Sequence, residues 1–513
     1  MTAHRKSSLH ETMNLTGALS DEKKMTEIYF SDYFSVSPEV VEEHGAFDIS
    51  LINDLPLFID PFLLFNSEDD TYQELHAQII TYMRFLKEVS LAGTVPRPLI
   101  EEWFTFPEIK QNWFGLSRVG NQGRGLGMDF ADALCRNLST VFRDFGDEVV
   151  TRSSHLEKLC LIRDGVGRDN ISDFTTNLIK CYLAEFTQDF ALKYLNPSQR
   201  RLVTLRKVKF NYDTRSWTTA SFELPYIHDD FILLTPKDIL TKDESWINRP
   251  ELLDRFPEIA NALPDATLRA QVNDYLARVI PKGPKVKQKE IREAIGSAVE
   301  RFPQVLDYYI RDKEDSGDQA VSFAEARVRE VETVFIDKIR ALVSQYLDPG
   351  GFYRLPYNTY EEAHERVMFL KDVIENKGGH KIFYVNGIPI EREADLQIMY
   401  RLTWYATQSD VTREANDGRG PADFKISRGA EDKTIIEFKL AKNTQLERNL
   451  QNQCKVYEAA SDTTHPSIKV ILHFNDSEYE RVLRILKRLN LEGNKNIVLI
   501  DACDYNKPSG SRA

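Results

Sequence analysis

Two short segments near the C-terminus carry charge where strands normally place apolar residues. Within GPADFKISRGAEDKTIIEFKLA, residues 420–441, Asp423 precedes one alternating run, and Glu437 and Lys439 interrupt the next. Strand side chains alternate faces with period two. Ile436, Phe438 and Leu440 therefore share one apolar face, which must be core, while Ile435, Glu437 and Lys439 share the other. In the first run Phe424 and Ile426 face one way, and Asp423, Lys425 and Ser427 the other. A hairpin closed across the polar loop RGAED pairs Ser427 with Lys433 and sets Asp423 opposite Glu437. Directly opposed residues have Cβ atoms about 4.5–5.5 Å apart, so the two carboxylates repel. A divalent cation between them removes that cost. Mg²⁺ is held by one or two carboxylates together with phosphate oxygens and water. Lys439, on the same face, can lie beside the water or the phosphate. The bland alternative is a structural Glu437–Lys439 pair on a solvated strand face.

This hairpin resembles the catalytic core of the PD-(D/E)XK nuclease superfamily, and the resemblance covers roughly residues 385–505. The motif stands as Pro421-Ala422-Asp423 followed by Glu437-Phe438-Lys439, with Ala422 separating the proline from the aspartate. The resemblance implies a glutamate on the preceding helix. Glu393, in EREADLQ, matches, and Glu391 competes with it. It also implies a glutamine in the following helix with a tyrosine four residues on. Gln453 and Tyr457, in NLQNQCKVY, match and share a helix face. The implied catalytic set is Asp423, Glu437, Lys439 and Gln453. Asp423, Glu437 and Glu393 would hold Mg²⁺, for which Mn²⁺ substitutes. The implied reaction is endonucleolytic hydrolysis of phosphodiester bonds leaving a 5′-phosphate, with DNA favoured over RNA. The contrasting expectations are an RNA-cleaving nuclease, or a non-catalytic nucleic-acid-binding or scaffold protein on a degenerate nuclease fold.

The net charge of −13 gives no global attraction to a polyanion, so nucleic-acid contact must be local. Arg419, Lys425, Lys442, Arg448 and Tyr457 are the expected contacts, in a cluster with Arg413, Arg428 and Lys455. One active site per chain points to a homodimer or higher oligomer if both strands are cut.

The elements that must position these residues follow from periodicity. IFYVNGIPI reads as a small hairpin and EREADLQIMYRLTWYATQ as a helix. The two motif strands, the helix TQLERNLQNQCKVYEAA, and a strand–helix–strand run through SIKVILHF, EYERVLRILKRLN and NIVLIDA complete the pattern. The order is α-β-β-α-β-α-β, a restriction-endonuclease-like sandwich over residues 381–513.

The 513 residues allow several domains, so the class is α/β and α+β multidomain. Residues 1–24 read as a flexible tail. Residues 25–245 read as an α+β N-terminal domain, in which AFDISLIND is a strand and Ser172 or Asp173 caps a helix over 172–195. Residues 246–380 read as a mainly helical connector or oligomerisation region. There Val328, Val331, Phe335, Leu342 and Tyr346 form one apolar stripe suited to a connector or dimer face.

The five cysteines are scattered without close pairs, as in a reduced, cytoplasmic protein. No Cys/His spacing points to structural zinc. No apolar run approaches a membrane span. Three further segments read as structural: the glycine-rich GNQGRGLGMDFADAL, the HDD at 228–230, and GVGRDNISDFTTN with Arg168 and Asp169. LPLFIDPFLLF and GVGRDNISDFTTN resemble segments that precede nuclease domains in bacterial anti-phage proteins, which makes antiviral defence the expected setting.

Overall fold

The computed structural model describes residues 28–115, 127–140, 142, 144–162, 168–227, 229–242, 244–280, 288–347, 349–350, 358–404, 410–416, 421–428, 432–453 and 465–507. The expected tail, the glycines at 120–125 and the basic linker over 281–287 lie outside them.

Near the C-terminus, helix α1 (Thr359–Asn376) leads to a hairpin, Tyr384–Val385 with Ile388–Pro389. Its turn residues Asn386 and Gly387 both adopt positive φ, the geometry that suits Asn-Gly in a tight hairpin. Helix α2 (Glu393–Thr403) then precedes five strands: β1 (Asp410–Asn416), β2 (Pro421–Arg428), β3 (Asp432–Leu440), β4 (Ile468–His473) and β5 (Ile497–Asp501). Helix α3 (Asp476–Arg488) joins the last two. Asn475 caps α3 through Glu478 N. Asp476 and Glu478 open it and Lys487 and Arg488 close it, each charge matched to the helix dipole.

The sheet runs β1-β2-β3-β4-β5. The first two pairings are antiparallel, and β3–β4 and β4–β5 are parallel. Strand β1 is a correction to the expected order, which becomes α-β-β-β-α-β-α-β. The sequence DVTREAN lacks alternating apolar residues because β1 is an edge strand, where polar side chains are tolerated.

Both faces of the sheet are covered. Phe424, Ile436, Phe438, Val470 and Ile500 join the main core beneath α1 and α2. Ile471 on the other face packs with Val482, Ile485 and Leu486 of α3. Strand β3 is consequently buried along nearly its whole length, as a strand with two covered faces must be.

The N-terminal region is α+β. Leu57–Ile59 pairs with Leu240–Lys242, and Arg200–Leu205 pairs with Ala220–Ile227. The expected strand AFDISLIND is instead an irregular segment with isolated bridges from Ala46 to Pro236 and from Ser50 to Tyr29. The helix expected over 172–195 starts earlier, at Arg168, and breaks at Ile179 into Arg168–Leu178 and Lys180–Tyr194. Ser172 is not a cap. It lies inside the first helix, where its Oγ accepts from Ile59 N at 3.0 Å. Asp60, which interrupts an apolar run, caps the helix Pro61–Phe65 through Phe62 N and also accepts from Trp246 N at 2.7 Å. Burial pushes its carboxyl up to about 6, beside the buried Glu157.

The region between is helical. Gly317–Glu332 continues through two π-turns to Leu347. Val328, Val331, Phe335 and Leu342 are buried in this chain's own core, so the apolar stripe is not a dimer face. The Tyr29 hydroxyl donates to Phe335 O, and Arg340 pairs with Asp32 at 3.2 Å and Asp48 at 3.0 Å. Among the described residues no helix is long and apolar enough to cross a membrane.

Candidate active site

Strands β2 and β3 have the expected register, with Ser427 opposite Lys433 and Phe424 opposite Ile436. Asp423 and Glu437 come next, just past the paired stretch, and both carboxylates reach Lys439. There the Asp423 carboxylate takes up the backbone, accepting from Phe438 N at 2.6 Å. Behind this edge, Tyr400 of α2 packs on Phe438 and Phe424, with ring centroids 4.3 and 5.1 Å away. This aromatic cluster fixes the core face of both strands and thereby the aim of the charged face.

On that face three acids surround one base. The Lys439 ammonium lies 3.0 Å from Glu437 Oε2, 3.2 Å from Asp423 Oδ2 and 3.9 Å from Glu393 Oε2. Asp423, Glu437 and Lys439 are 7%, 4% and 8% exposed, so water screens this cluster poorly.

Burial, then the neighbouring Asp423 charge, pushes the Glu437 carboxyl up to about 8 against the opposing pull of Lys439. For Lys439, burial works against its charge, but Asp423, Glu437 and Glu393 outweigh it and the net shift is upward. Glu437 Oε1 is buried with no hydrogen-bond partner among the described residues. A buried carboxylate oxygen normally finds one. An orphaned oxygen among three carboxylates that share one lysine fits a hard divalent cation.

Of the two glutamates, Glu393 and Glu391, the structure brings Glu393 to the cluster. Glu393 opens α2, and its Oε1 accepts from Leu440 N at 3.1 Å and Asn443 Nδ2 at 2.7 Å, which turns its other oxygen toward Lys439. Glu391 is exposed and precedes the helix. Asn443 was not singled out from sequence. Arg481 of α3 holds its loop by donating to Asn443 O at 2.7 Å and to Ala441 O. The only signal in KLAKNTQ was an asparagine just past a strand, the ordinary mark of a turn.

The other expected residues are placed less closely. Of the helix expected over 444–460, residues 454–460 lie outside the described residues. Leu446–Arg448 is a short helix followed by a π-turn over Asn449–Gln453. The Gln453 side chain, Tyr457, Arg419 and Lys455 lie outside the described residues. Lys425 is half-buried. Arg448 is exposed, as is Lys442, whose Nζ donates to Ile390 O at 3.2 Å. Arg428 is engaged internally by Glu362, which also pairs with the buried Arg366. That makes Arg428 part of the α1–sheet joint and not an open contact for a polyanion.

Outside the sheet, Arg168 pairs with Glu244 at 2.9 Å and stacks over Phe58, and Asp230 accepts from Gln111 at 2.9 Å. Both are structural placements.

Residues 35–248 match a family model described as a domain of unknown function (DUF8370), and residues 359–476 match a second domain of unknown function (DUF8371). The second match spans Glu393, Asp423, Glu437 and Lys439. No curated protein and no solved structure matches the chain.

Proposed function

We propose that this protein is a Mg²⁺-dependent nuclease of the PD-(D/E)XK type, hydrolysing phosphodiester bonds of DNA, and that its C-terminal sheet is a restriction-endonuclease-like core. The supporting observation is the convergence of Glu393, Asp423, Glu437 and Lys439 on one buried spot, with Glu437 Oε1 left without a partner. Asp423, Glu437 and Glu393 would hold the ion, with Mn²⁺ as a substitute for Mg²⁺. When bound, the ion polarises the scissile phosphate and acidifies the attacking water.

The chain's own residues do the rest. Glu437 must give up its proton before it can act as a ligand, and Lys439 supplies the charge that favours this. With the carboxylates engaged, the Lys439 ammonium is released from them to face the phosphate, where it orients the water or neutralises charge developing on the phosphoryl oxygens. Asn443 keeps Glu393 turned toward the site. The exposed Lys442 and Arg448 would meet the backbone of the nucleic acid. The resemblance of the N-terminal segments to bacterial anti-phage proteins makes defence against foreign DNA the proposed setting.

The second reading, a nucleic-acid-binding or scaffold protein, draws on the same contacts. Lys439 already lies against Asp423 and Glu437 at 3.0–3.2 Å, as in a closed structural cluster. Incubation with plasmid, single-stranded DNA and RNA, with and without Mg²⁺ or Mn²⁺, separates the two. Metal-dependent loss of plasmid, abolished in Asp423→Ala and Lys439→Ala proteins that remain folded, supports the nuclease. No metal-dependent loss of any substrate favours the scaffold, and loss of RNA alone changes the substrate.

A further inference from the structure

A second cluster of metal-type ligands sits at the carboxyl ends of the two parallel strands β4 and β5. His473 ends β4, Asp501 ends β5, and the two are direct cross-strand partners. Cys503 follows Asp501 by two residues. The chain continues the pairing, with Ala502 N donating to His473 O at 3.0 Å. Tyr384 of the small hairpin donates its hydroxyl to Ala502 O at 2.8 Å. Cys503 N donates to Asp501 Oδ1 at 2.9 Å. These bonds hold the thiol, the imidazole and the carboxylate together, and one ligand atom from each lies within 4.8 Å of the others.

The distances suit a particular ion. Around a tetrahedral zinc, with bonds of about 2.0–2.1 Å to nitrogen and about 2.3 Å to sulfur, a nitrogen and a sulfur stand roughly 3.6 Å apart. Cys503 Sγ and His473 Nδ1 are 3.8 Å apart, so closure needs only a small movement. The ligand chemistry excludes the ion expected at the hairpin. A thiol and an imidazole are soft or borderline donors that select zinc over the oxygen-seeking Mg²⁺. Cys503 is fully buried and His473 is 7% exposed, yet His473 and Asp501 line a cavity of about 550 Å³ with Tyr479 and Lys371. A path for the ion and room for a fourth, non-protein ligand are therefore present.

One cation and one neutral amide already bond the carboxylate. Lys507 Nζ and Asn506 Nδ2 each lie 2.8 Å from Asp501 Oδ2. With Cys503 N on Oδ1, three of the carboxylate's roughly four lone-pair directions are taken, which leaves one on Oδ1 for a metal.

We propose that His473, Asp501 and Cys503 bind a zinc ion at the carboxyl ends of β4 and β5, with the fourth position open to the adjoining cavity. Binding breaks the Cys503 S–H bond and releases its proton to solvent while the sulfur electron pair forms the bond to zinc. The ion ties the segment after β5 to the sheet. The site is separate from the Glu437 cluster, because Lys439 pairs across β3–β4 with Ile471, two residues before His473.

The test uses the full chain, stripped with chelator and dialysed against Zn²⁺ or Co²⁺. Bound metal is measured by elemental analysis, and the Co²⁺ form is read for a thiolate-to-cobalt charge-transfer band. Wild type is expected to show the band and to bind one equivalent beyond any taken by the hairpin carboxylates. Cys503→Ser is expected to lose both, while Cys135→Ser and Glu437→Gln keep both, which makes the outcome independent of the nuclease reading. Absence of the band in wild type overturns the proposal even if the variants fail to fold, and so does its persistence in a folded Cys503→Ser protein.

Discussion

Replacing Lys439 with methionine keeps most of the length of the side chain and removes the positive charge that the described residues place among Glu437, Asp423 and Glu393, which lie 3.0, 3.2 and 3.9 Å from it. Breaking a buried ion pair from one side costs about 3–5 kcal/mol, because the remaining charge stays buried. The abandoned carboxyl has one escape, which is to take up a proton. That costs about 1.4 kcal/mol for each pH unit above an ordinary carboxyl pKa of about 4. The penalty is therefore capped near 4 kcal/mol at pH 7 and near 1.4 kcal/mol at pH 5. Lys439→Met should destabilise the C-terminal region by roughly 3–4 kcal/mol at pH 7 and about 1 kcal/mol at pH 5. Amide exchange of peptides covering β3, in chelator at both pH values, reads this locally and avoids assuming that the whole chain unfolds in one step. Millimolar Mg²⁺ should restore protection to the variant more than to wild type, because the ion replaces the missing charge. Equal penalties at the two pH values, or no penalty at pH 7, would refute the placement of Lys439 as the counter-charge.

In metal-free protein, Glu437 is a carboxyl whose folded pKa is raised from 4.5 to about 8. Its contribution to stability is present below 4.5 and is lost as pH rises through about 8, so wild type should weaken by up to a few kcal/mol between pH 5 and pH 9 relative to Glu437→Gln, as read by urea unfolding in chelator. A flat difference between the two curves would contradict the buried carboxyl. Asn443→Ala removes the 2.7 Å bond that aims Glu393. It should lower metal-dependent cleavage by about 10- to 100-fold while leaving the melting temperature within a few degrees, with Asn443→Gln recovering part of the loss. Arg366→Ala breaks a buried pair with Glu362 and uncovers Trp404, whose ring lies 4.6 Å below the guanidinium. Its cost should be about 3–5 kcal/mol by denaturant titration, and a cost under about 1 kcal/mol would show that Arg428 alone satisfies Glu362.

Much of the hairpin is legible in the sequence. Alternation alone separates Ile436, Phe438 and Leu440 from Glu437 and Lys439, and a symmetric loop fixes Ser427 against Lys433, because a slip of one residue would turn every charge on that strand into the apolar core face. Strand β1 was not legible, since an edge strand needs backbone pairing and little else from its side chains. Periodicity announces an apolar stripe over residues 328–342, but an amphipathic helix does not say whose core it faces. Only packing shows that the partner is this chain.

The sequence by itself determined the local terms: which face of β2 and β3 is core, that a helix joins β4 to β5, and that Asp423 and Glu437 share a side. These depend on strand and helix periodicity and on one short hairpin loop, where geometry follows from the chain. The tertiary structure decided the rest. It chose Glu393 over Glu391 through bonds from Leu440 and Asn443, 47 and 50 positions away. It took Arg428 out of the open basic surface and gave it to Glu362. It also brought His473 beside Asp501 and Cys503, because two parallel strands end at the same level. Separation along the chain carries no trace of that meeting, which only the register of the sheet creates.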